Sequence, residues 1–121
     1  RYVAALGERR FFEVDSDSGP GRELHLKGVN VVVKDPPYFP NMTSFHPNTS
    51  FVEDDVIFLK SMGINLVRLG VMWPGLNPSR QWVDDSYAGE IRKIIEMCEK
   101  HGLYTVIEPH QDELHPAFCG E

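Results

Sequence analysis

The sequence lacks an uninterrupted apolar stretch of the roughly 18 residues that a membrane span requires, so no transmembrane helix is predicted. It is also short of basic residues, because 12 Lys and Arg stand against 18 Asp and Glu and give a formal net charge of −6. Binding to nucleic acid or to anionic lipid headgroups relies on clustered Lys and Arg. The composition therefore argues against both partners and leaves neutral substrates open.

Cysteine is scarce as well, since two residues are too few for the disulfide framework of a small secreted domain. Cys98 falls on the apolar side of a predicted helix and is interpreted as a small core residue, whereas the role of Cys119 is left open. Glycosylation sequons begin at Asn41 and Asn48 in one polar loop, and they modestly favour a secreted protein. The chain begins with Arg1 and shows no signal peptide, so we expect either a removed leader or an arbitrary start.

A leading hairpin precedes an alternation of strands and helices. Two short strand-like segments flank a turn of Asp, Ser, Gly and Pro, which is typical of a β-hairpin. Ser50 and Glu53 have the spacing of a capping box, and Gly63 would stop the helix that they begin. In chain order we predict strands over 10–14, 23–27 and 28–33, a helix from 50 to 63, a strand over 64–69, a helix from 84 to 102 and a strand over 103–107.

This order predicts an α/β fold with parallel strands joined by right-handed crossovers. The apolar stripe of the second helix has helical spacing and consists of Tyr87, Ile91, Ile94, Ile95 and Cys98. Doubly wound open sheets and (β/α)8 barrels both use such units. The loop after the first parallel strand contains four prolines and no Gly-x-Gly-x-x-Gly, which argues against dinucleotide binding. A hairpin ahead of the first strand would close the bottom of a barrel, but the pattern alone leaves both architectures open.

Polar side chains follow the three predicted parallel strands at the point where each strand ends. Lys34 and Tyr38 come after the first, and Arg68 and Trp73 stand near the end of the second. The third is followed by the run His110, Gln111 and Asp112. Reactive residues of a barrel lie at the carboxyl ends of its strands. We therefore expect these groups to converge on one face.

Three blocks in this order resemble the endoglycoceramidases of glycoside hydrolase family 5. They are residues 28–34 (GVNVVVK) with the following Pro-Pro-Tyr, residues 65–73 (NLVRLGVMW), and the HQD run with residues 118–121. The resemblance extends from about Arg22 to the last residue. It implies a (β/α)8 (TIM) barrel in which residues 1–27 are the leading hairpin and residues 28–121 the first three strand–helix units.

The resemblance also implies an activity, which is retaining hydrolysis of the β-glycosidic bond between oligosaccharide and ceramide. The substrate would be a glycolipid reached by transient contact with a membrane surface, and no cofactor or metal is implied. Arg68 would orient the catalytic nucleophile and keep it ionised, and His110 would bond a sugar hydroxyl beside the cleaved bond. The alternatives are an ordinary ion pair for Arg68 and a structural role for His110.

Other residues would bind the substrate according to the same resemblance. Lys34, Gln111 and Asp112 would contact sugar hydroxyls, against the alternative of solvated loop residues. Trp73 would stack on a sugar or a lipid chain, against the alternative of core packing. Asn30 lies inside a predicted buried strand and is interpreted as satisfying backbone neighbours.

Both catalytic carboxyl groups are expected outside this sequence. Retaining hydrolysis needs two of them about 5–5.5 Å apart, and in the family they are glutamates after the fourth and seventh strands. Glu108, Glu113 and Glu121 do not match those positions. We expect the segment alone to be inactive and poorly folded, because three strands leave a barrel sheet with an open apolar edge.

A metal site is not predicted, although carboxylate and imidazole alternate at Glu108, His110, Asp112 and His115. Zinc needs three or four ligands in tetrahedral geometry. A short loop restrained by two prolines would place two ligands easily and four with difficulty.

The substrate class has two alternatives. Glu108-Pro109 precedes His110 where many endoglycoceramidases have Asp and an apolar residue, and this pattern is similar to the fungal glucosylceramide and steryl-glucoside hydrolases of the same family. One alternative is therefore a glucosylceramide, steryl-glucoside or β-glucan hydrolase, although Lys34 with Asp112 favours an oligosaccharide head group. The other is a non-catalytic remnant that binds carbohydrate or lipid.

Overall fold

The structure, a computed structural model, describes residues 2–5, 11–15 and 19–111, whose strands form a pair of three-stranded sheets. In chain order the elements are β1 (Tyr2–Ala5), β2 (Phe11–Asp15), β3 (Gly19–Leu24), β4 (Gly28–Val31), α1 (Glu53–Ser61), β5 (Leu66–Met72), α2 (Trp73–Leu76), α3 (Asp85–Lys100) and β6 (Tyr104–His110). Among the described residues, none of the helices has the length and apolar character needed to cross a membrane.

The first sheet is antiparallel with the order β1-β2-β3. The predicted hairpin is confirmed as β2 and β3, whereas β1 was not predicted. The predicted strand over 23–27 is misplaced, because β3 begins at Gly19 and ends at Leu24. After Leu24 the backbone forms hydrogen bonds with the side chain of Asn65 rather than with a neighbouring strand of the first sheet. Lys27 N donates to Asn65 Oδ1 (2.8 Å), and Asn65 Nδ2 donates to His25 O (2.9 Å).

The second sheet is parallel, with the order β4-β5-β6. The predicted α/β arrangement of parallel strands with intervening helices is thereby confirmed for the described residues. Val67 and Leu69 on β5 are fully buried in one core with Val56 of α1 and Ile94 and Cys98 of α3. Since successive side chains of a strand point to opposite faces, the even-numbered residues of β5 lie on the face away from this core.

Helix α3 has the predicted core stripe. Asp84 caps it, because its Oδ1 accepts from the backbone nitrogens of Ser86 (2.9 Å) and Tyr87 (3.2 Å). The hydrogen bond from the Ser86 hydroxyl is the main reason why the pKa of Asp84 lies below its ordinary value. The buried residues are Tyr87, Ile91, Ile94 and Cys98, as predicted, while Ile95 is partly buried.

Helix α1 begins differently from the prediction. Its N-cap is Val52, whose backbone N–H donates to Asp55 Oδ2 (2.9 Å), so the predicted Ser50–Glu53 capping box is wrong. Ser50 closes a preceding turn instead: its hydroxyl accepts from His46 N and donates to His46 O, both at 2.8 Å. The predicted stop at Gly63 is consistent with its φ of 78°.

Strands β5 and β6 extend beyond their predicted ends. β6 continues to His110 because Glu108, Pro109 and His110 pair with Gly70, Val71 and Met72 of β5. The polar run that was predicted to follow the strand therefore begins inside it. A short helix, α2, which was not predicted, lies between β5 and the predicted helix from 84 to 102.

Glu53 joins the start of α1 to the end of α3. Its Oε1 accepts from Lys100 Nζ and from His101 Nε2, both at 2.6 Å. The hydrogen bond from Lys100, followed by that from His101, holds the pKa of Glu53 below its ordinary value. The pair of helices is thus linked through one carboxylate, whose ionised form these contacts favour.

We predict that Glu53→Gln lowers the free energy of unfolding near neutral pH and flattens its decline in acid. Because the folded-state pKa is depressed, the stabilisation is present above the unfolded-state pKa and is lost as the pH falls through the folded-state pKa. Urea unfolding of the full-length protein over a pH series measures this. Glu96→Gln, on the exposed side of α3, is the control. Parallel pH profiles for Glu53→Gln and the unaltered protein would contradict the prediction.

Candidate active site

A network of four polar side chains lies on the face of the parallel sheet opposite the helical core. Asn30 pairs with Arg68 in the register of β4 and β5, while Gly70 pairs with Glu108 and Met72 with His110 in that of β5 and β6. Alternate residues of neighbouring strands in register share a face. Asn30, Arg68, Glu108 and His110 are therefore brought together from three strands.

Arg68 contacts both neighbouring strands. Its Nη2 lies 3.1 Å from Glu108 Oε1 of β6, and its Nη1 donates to Asn30 Oδ1 of β4 at 3.4 Å. Its side chain remains 42% exposed, so part of the guanidinium is accessible. The predicted alternative of an ion pair is present, with Glu108 as the partner. Arg68 lies within its strand rather than at its end, because β5 extends to Met72.

His110 bonds to the other oxygen of the same carboxylate. Its Nδ1 lies 2.7 Å from Glu108 Oε2, and its side chain is 12% exposed. One carboxylate therefore joins a guanidinium on β5 to an imidazole at the end of β6. Arg68 and His110, which were predicted to converge, are connected through Glu108.

Gly70 keeps the centre of this face free of a side chain. A Cβ atom at this buried position would lie 2.7 Å from Cγ2 of Val32, closer than real Cβ contacts allow. Gly70 stands opposite Glu108 and between Arg68 and Met72 along the strand. The glycine therefore leaves room for Val32 beside the network.

The remaining predicted residues lie beyond the network. Lys34 and Gln111 are exposed and follow the carboxyl ends of β4 and β6. Trp73, the first residue of α2, is 57% exposed and does not pack in the core of the described residues. Asp112 lies outside the described residues, as do His115, Glu113, Cys119 and Glu121.

Sequence reasoning missed two members of the network. Asn30 was interpreted as satisfying backbone neighbours, which is wrong because its Oδ1 accepts from Arg68. Glu108 was considered as a metal ligand or a nucleophile, and its contacts with both Arg68 and His110 were not predicted. Its spacing could have indicated the contact with His110, because residues two apart on a strand share a face.

No group of three or more His, Cys, Asp or Glu side chains that could hold a metal ion occurs among the residues that the structure describes.

Both sequon asparagines are exposed. Asn41 Oδ1 accepts from Thr43 N and from the Thr43 hydroxyl, both at 2.8 Å, and its Nδ2 donates to the Ser44 hydroxyl at 3.0 Å.

Tyr87 of α3 connects the two loops beside the network. Its buried hydroxyl accepts from Met72 N (2.9 Å), at the end of β5, and donates to Tyr38 O (3.1 Å), in the segment after β4. Gly75 of α2 leaves room for the ring, because a Cβ there would lie 2.5 Å from Tyr87 Cε2. Burial raises the pKa of Tyr87. The phenol remains protonated at neutral pH and makes both hydrogen bonds.

Comparison with known proteins gives a consistent family. The family model described as Cellulase (glycosyl hydrolase family 5) matches residues 21–119. An endoglycoceramidase of Hydra vulgaris is 43% identical over 103 residues, which are 85% of this chain and 20% of that protein. Endoglycoceramidase I of Rhodococcus hoagii (strain 103S) is 33% identical over 102 residues, 84% of this chain and 20% of that protein.

The chain is also similar to a glucosylceramidase and to an endogalactoceramidase of known structure. A glucosylceramidase of Cryptococcus neoformans var. grubii is 31% identical over 112 residues, covering 83% of this chain and 15% of that protein. The crystal structure of an endogalactoceramidase superposes with a TM-score of 0.59 and 30% identity over 72% of this chain and 19% of that one. The chain thus spans about a fifth or less of the length of these relatives.

We predict that Tyr87→Phe lowers the free energy of unfolding by about 1–3 kcal/mol, because the Met72 N–H and the Tyr38 carbonyl lose their partner in a buried setting. Chemical denaturation of the full-length protein measures the stability, and hydrogen exchange should become faster at the Met72 amide. Tyr104→Phe is a matched control, since its hydroxyl donates to Glu13 Oε1 (2.8 Å) at the opposite end of the sheet. Equal exchange at the Met72 amide in both variants would refute the prediction.

Proposed function

Because the chain belongs to glycosyl hydrolase family 5, we propose that it forms the N-terminal segment of a (β/α)8 barrel whose full-length protein hydrolyses glycosphingolipids. The bond cleaved is the β-glycosidic bond between oligosaccharide and ceramide, with retention of configuration. The network of Arg68, Glu108, His110 and Asn30 at one face of the parallel sheet is the observation that carries the proposal. The names of the endoglycoceramidase relatives support the substrate class.

The barrel is supported by the order of the strands and by the position of the leading sheet. β4, β5 and β6 are neighbours in chain order, and α1 and α3 share one core against the same face. Half of a doubly wound sheet has the same order, and the family and the similarity to the endogalactoceramidase support the barrel over that alternative. We assign residues 1–27 to the leading sheet and 28–121 to the barrel.

The leading sheet fits the closed bottom of that barrel. The Tyr104 hydroxyl, at the first residue of β6, donates to Glu13 Oε1 of β2 at 2.8 Å. Substrates of such barrels bind at the other end, where the strands finish. The antiparallel sheet therefore lies away from the polar network.

In this proposal Arg68 directs an accessible N–H towards the nucleophilic carboxylate, which another region of the protein supplies, and favours its ionised form. His110 bonds a hydroxyl of the sugar next to the cleaved bond. The outer contacts would come from Lys34, Gln111, Asp112 and Trp73, whose ring is exposed and able to stack on a sugar or on a lipid chain.

A glycolipid substrate requires transient contact with a membrane surface. The net charge of −6 offers no general attraction to anionic lipids, so this contact would be local. The exposed sequons at Asn41 and Asn48 support a protein of the secretory pathway.

A glucosylceramide hydrolase is the second candidate. It is favoured by the glucosylceramidase relative, which covers most of this chain, and by Glu108-Pro109 ahead of His110. Both candidates use the same reaction, and they differ in the length of the sugar head group that is released.

The test is to incubate the full-length protein with a ganglioside and separately with glucosylceramide. We expect intact ceramide and a free oligosaccharide from the ganglioside, identified by mass spectrometry. Glucose release from glucosylceramide alone would favour the second candidate. Absence of hydrolysis of both substrates would contradict the proposed function.

We predict that Arg68→Lys lowers kcat by about 100-fold or more, because an ammonium cannot reproduce the planar, multiple donors of the guanidinium. Steady-state kinetics with the hydrolysed substrate measure this. Arg80→Lys, in an exposed turn, is the matched control and should retain full activity. A kcat for Arg68→Lys within about twofold of that of the control would refute the assigned role.

A further inference from the structure

We propose that Glu108 is a positioning residue that sets the ring tautomer of His110 and the orientation of Arg68. This inference rests on the proposed function, because it assigns a purpose to the contacts of the same site. Glu108 would not touch the reacting atoms. It would determine which atoms its two partners present to the sugar and to the nucleophile.

The contact with His110 determines where the imidazole proton lies. An ionised carboxylate has acceptors and no donor, so the Nδ1 atom 2.7 Å from Glu108 Oε2 must carry a hydrogen. In the neutral ring Nε2 is then an acceptor. His110 in this state receives a hydrogen bond from a sugar hydroxyl instead of donating one.

The second carboxylate oxygen of Glu108 contacts the guanidinium of Arg68. Glu108 Oε1 lies 3.1 Å from Arg68 Nη2, while Asn30 Oδ1 accepts from Nη1 at 3.4 Å. Contacts from both neighbouring strands restrict rotation of the long side chain. A planar group restrained in this way can present its remaining N–H groups in a single direction.

The register explains why a glutamate suits this position. His110 lies two residues further along the same strand, whereas Arg68 lies two residues before Gly70, the partner of Glu108 on β5. The carboxylate therefore has one partner along its own strand and one diagonally across on β5. Gly70, directly opposite, has no side chain that would block these contacts.

The burial of the cluster also favours this assignment. Arg68 and Glu108 form an ion pair on the same face of the sheet as His110. The His110 side chain is the most enclosed of the three, at 12% exposure against 25% for Glu108 and 42% for Arg68. The most enclosed member of the cluster is therefore the imidazole that Glu108 contacts.

The test uses the full-length protein labelled with 15N-histidine, and His110→Gln identifies the His110 signals. We expect the Nδ1–H tautomer in the unaltered protein. Glu108→Leu should give the Nε2–H tautomer, whereas Glu108→Asp, which retains a carboxylate, should keep Nδ1–H. An Nε2–H tautomer in the unaltered protein, or no change in Glu108→Leu, would overturn the proposal.

Kinetics provide the second readout. Glu108→Gln retains a side chain of the same size, but its single acceptor oxygen cannot serve both partners, and kcat/KM should fall by up to about 100-fold. If Glu108→Leu does not fold, the kinetics of Glu108→Gln test the proposal. Unchanged kcat/KM in Glu108→Gln would overturn the proposal. The tautomer readout is independent of hydrolysis, so an inactive protein with the expected tautomers would refute the proposed function alone.

Discussion

The register of the parallel sheet is the constraint on which the candidate site depends. Gly70 stands opposite Glu108, and this pairing places Arg68 diagonally across from a carboxylate that already has His110 two residues along its own strand. Because side chains alternate between the two faces of a strand, a shift by one residue would turn Glu108 towards the helices and bury it in the apolar core. The cost of burying an unpaired charge makes that alternative strongly unfavourable. The apolar and the polar faces therefore specify the same register.

The helices maintain this register from the other face. Val67 and Leu69 alternate with Arg68 and Gly70, and both are fully buried against α1 and α3. Tyr87 extends the connection to the loops, since one phenol hydroxyl joins the end of β5 to the segment after β4. Core packing and loop position are thus coupled through a single helix. A change in the packing of α3 is expected to reach the segments that follow β4 and β5.

The predictions from the sequence succeeded where a local period determines the outcome. The stripe of α3 follows from a spacing of three and four residues, and burial of Tyr87, Ile91, Ile94 and Cys98 is confirmed. Ser50 was mistaken for a helix cap because a hydroxyl can bond to the backbone of a turn as well as to that of a helix. In the structure its hydroxyl bonds to the backbone N–H and carbonyl of His46 in a turn. The polar run with Pro109 looks like a loop, yet its pairing with β5 keeps it in a strand.

The network itself was only partly predictable for a related reason. Arg68 and His110 are visible as polar residues near strand ends, whereas the bridging role of Glu108 depends on which residue of β5 faces it. A single sequence gives the period of each strand but not the register between two strands. Asn30 was misjudged for the same reason, because its partner Arg68 lies 38 positions away.

The shared carboxylate has a consequence for how such a site would work. Arg68 already has one anionic partner in Glu108, so a nucleophilic carboxylate supplied by the rest of the barrel would be its second. Two carboxylates on one guanidinium reduce the attraction that each experiences, and a nucleophile must remain reactive as well as ionised. In the proposed enzyme, Glu108 would therefore moderate the hold of Arg68 on the nucleophile while keeping the guanidinium in place. The same oxygen pair orients His110, so sugar binding and nucleophile orientation would depend on one side chain.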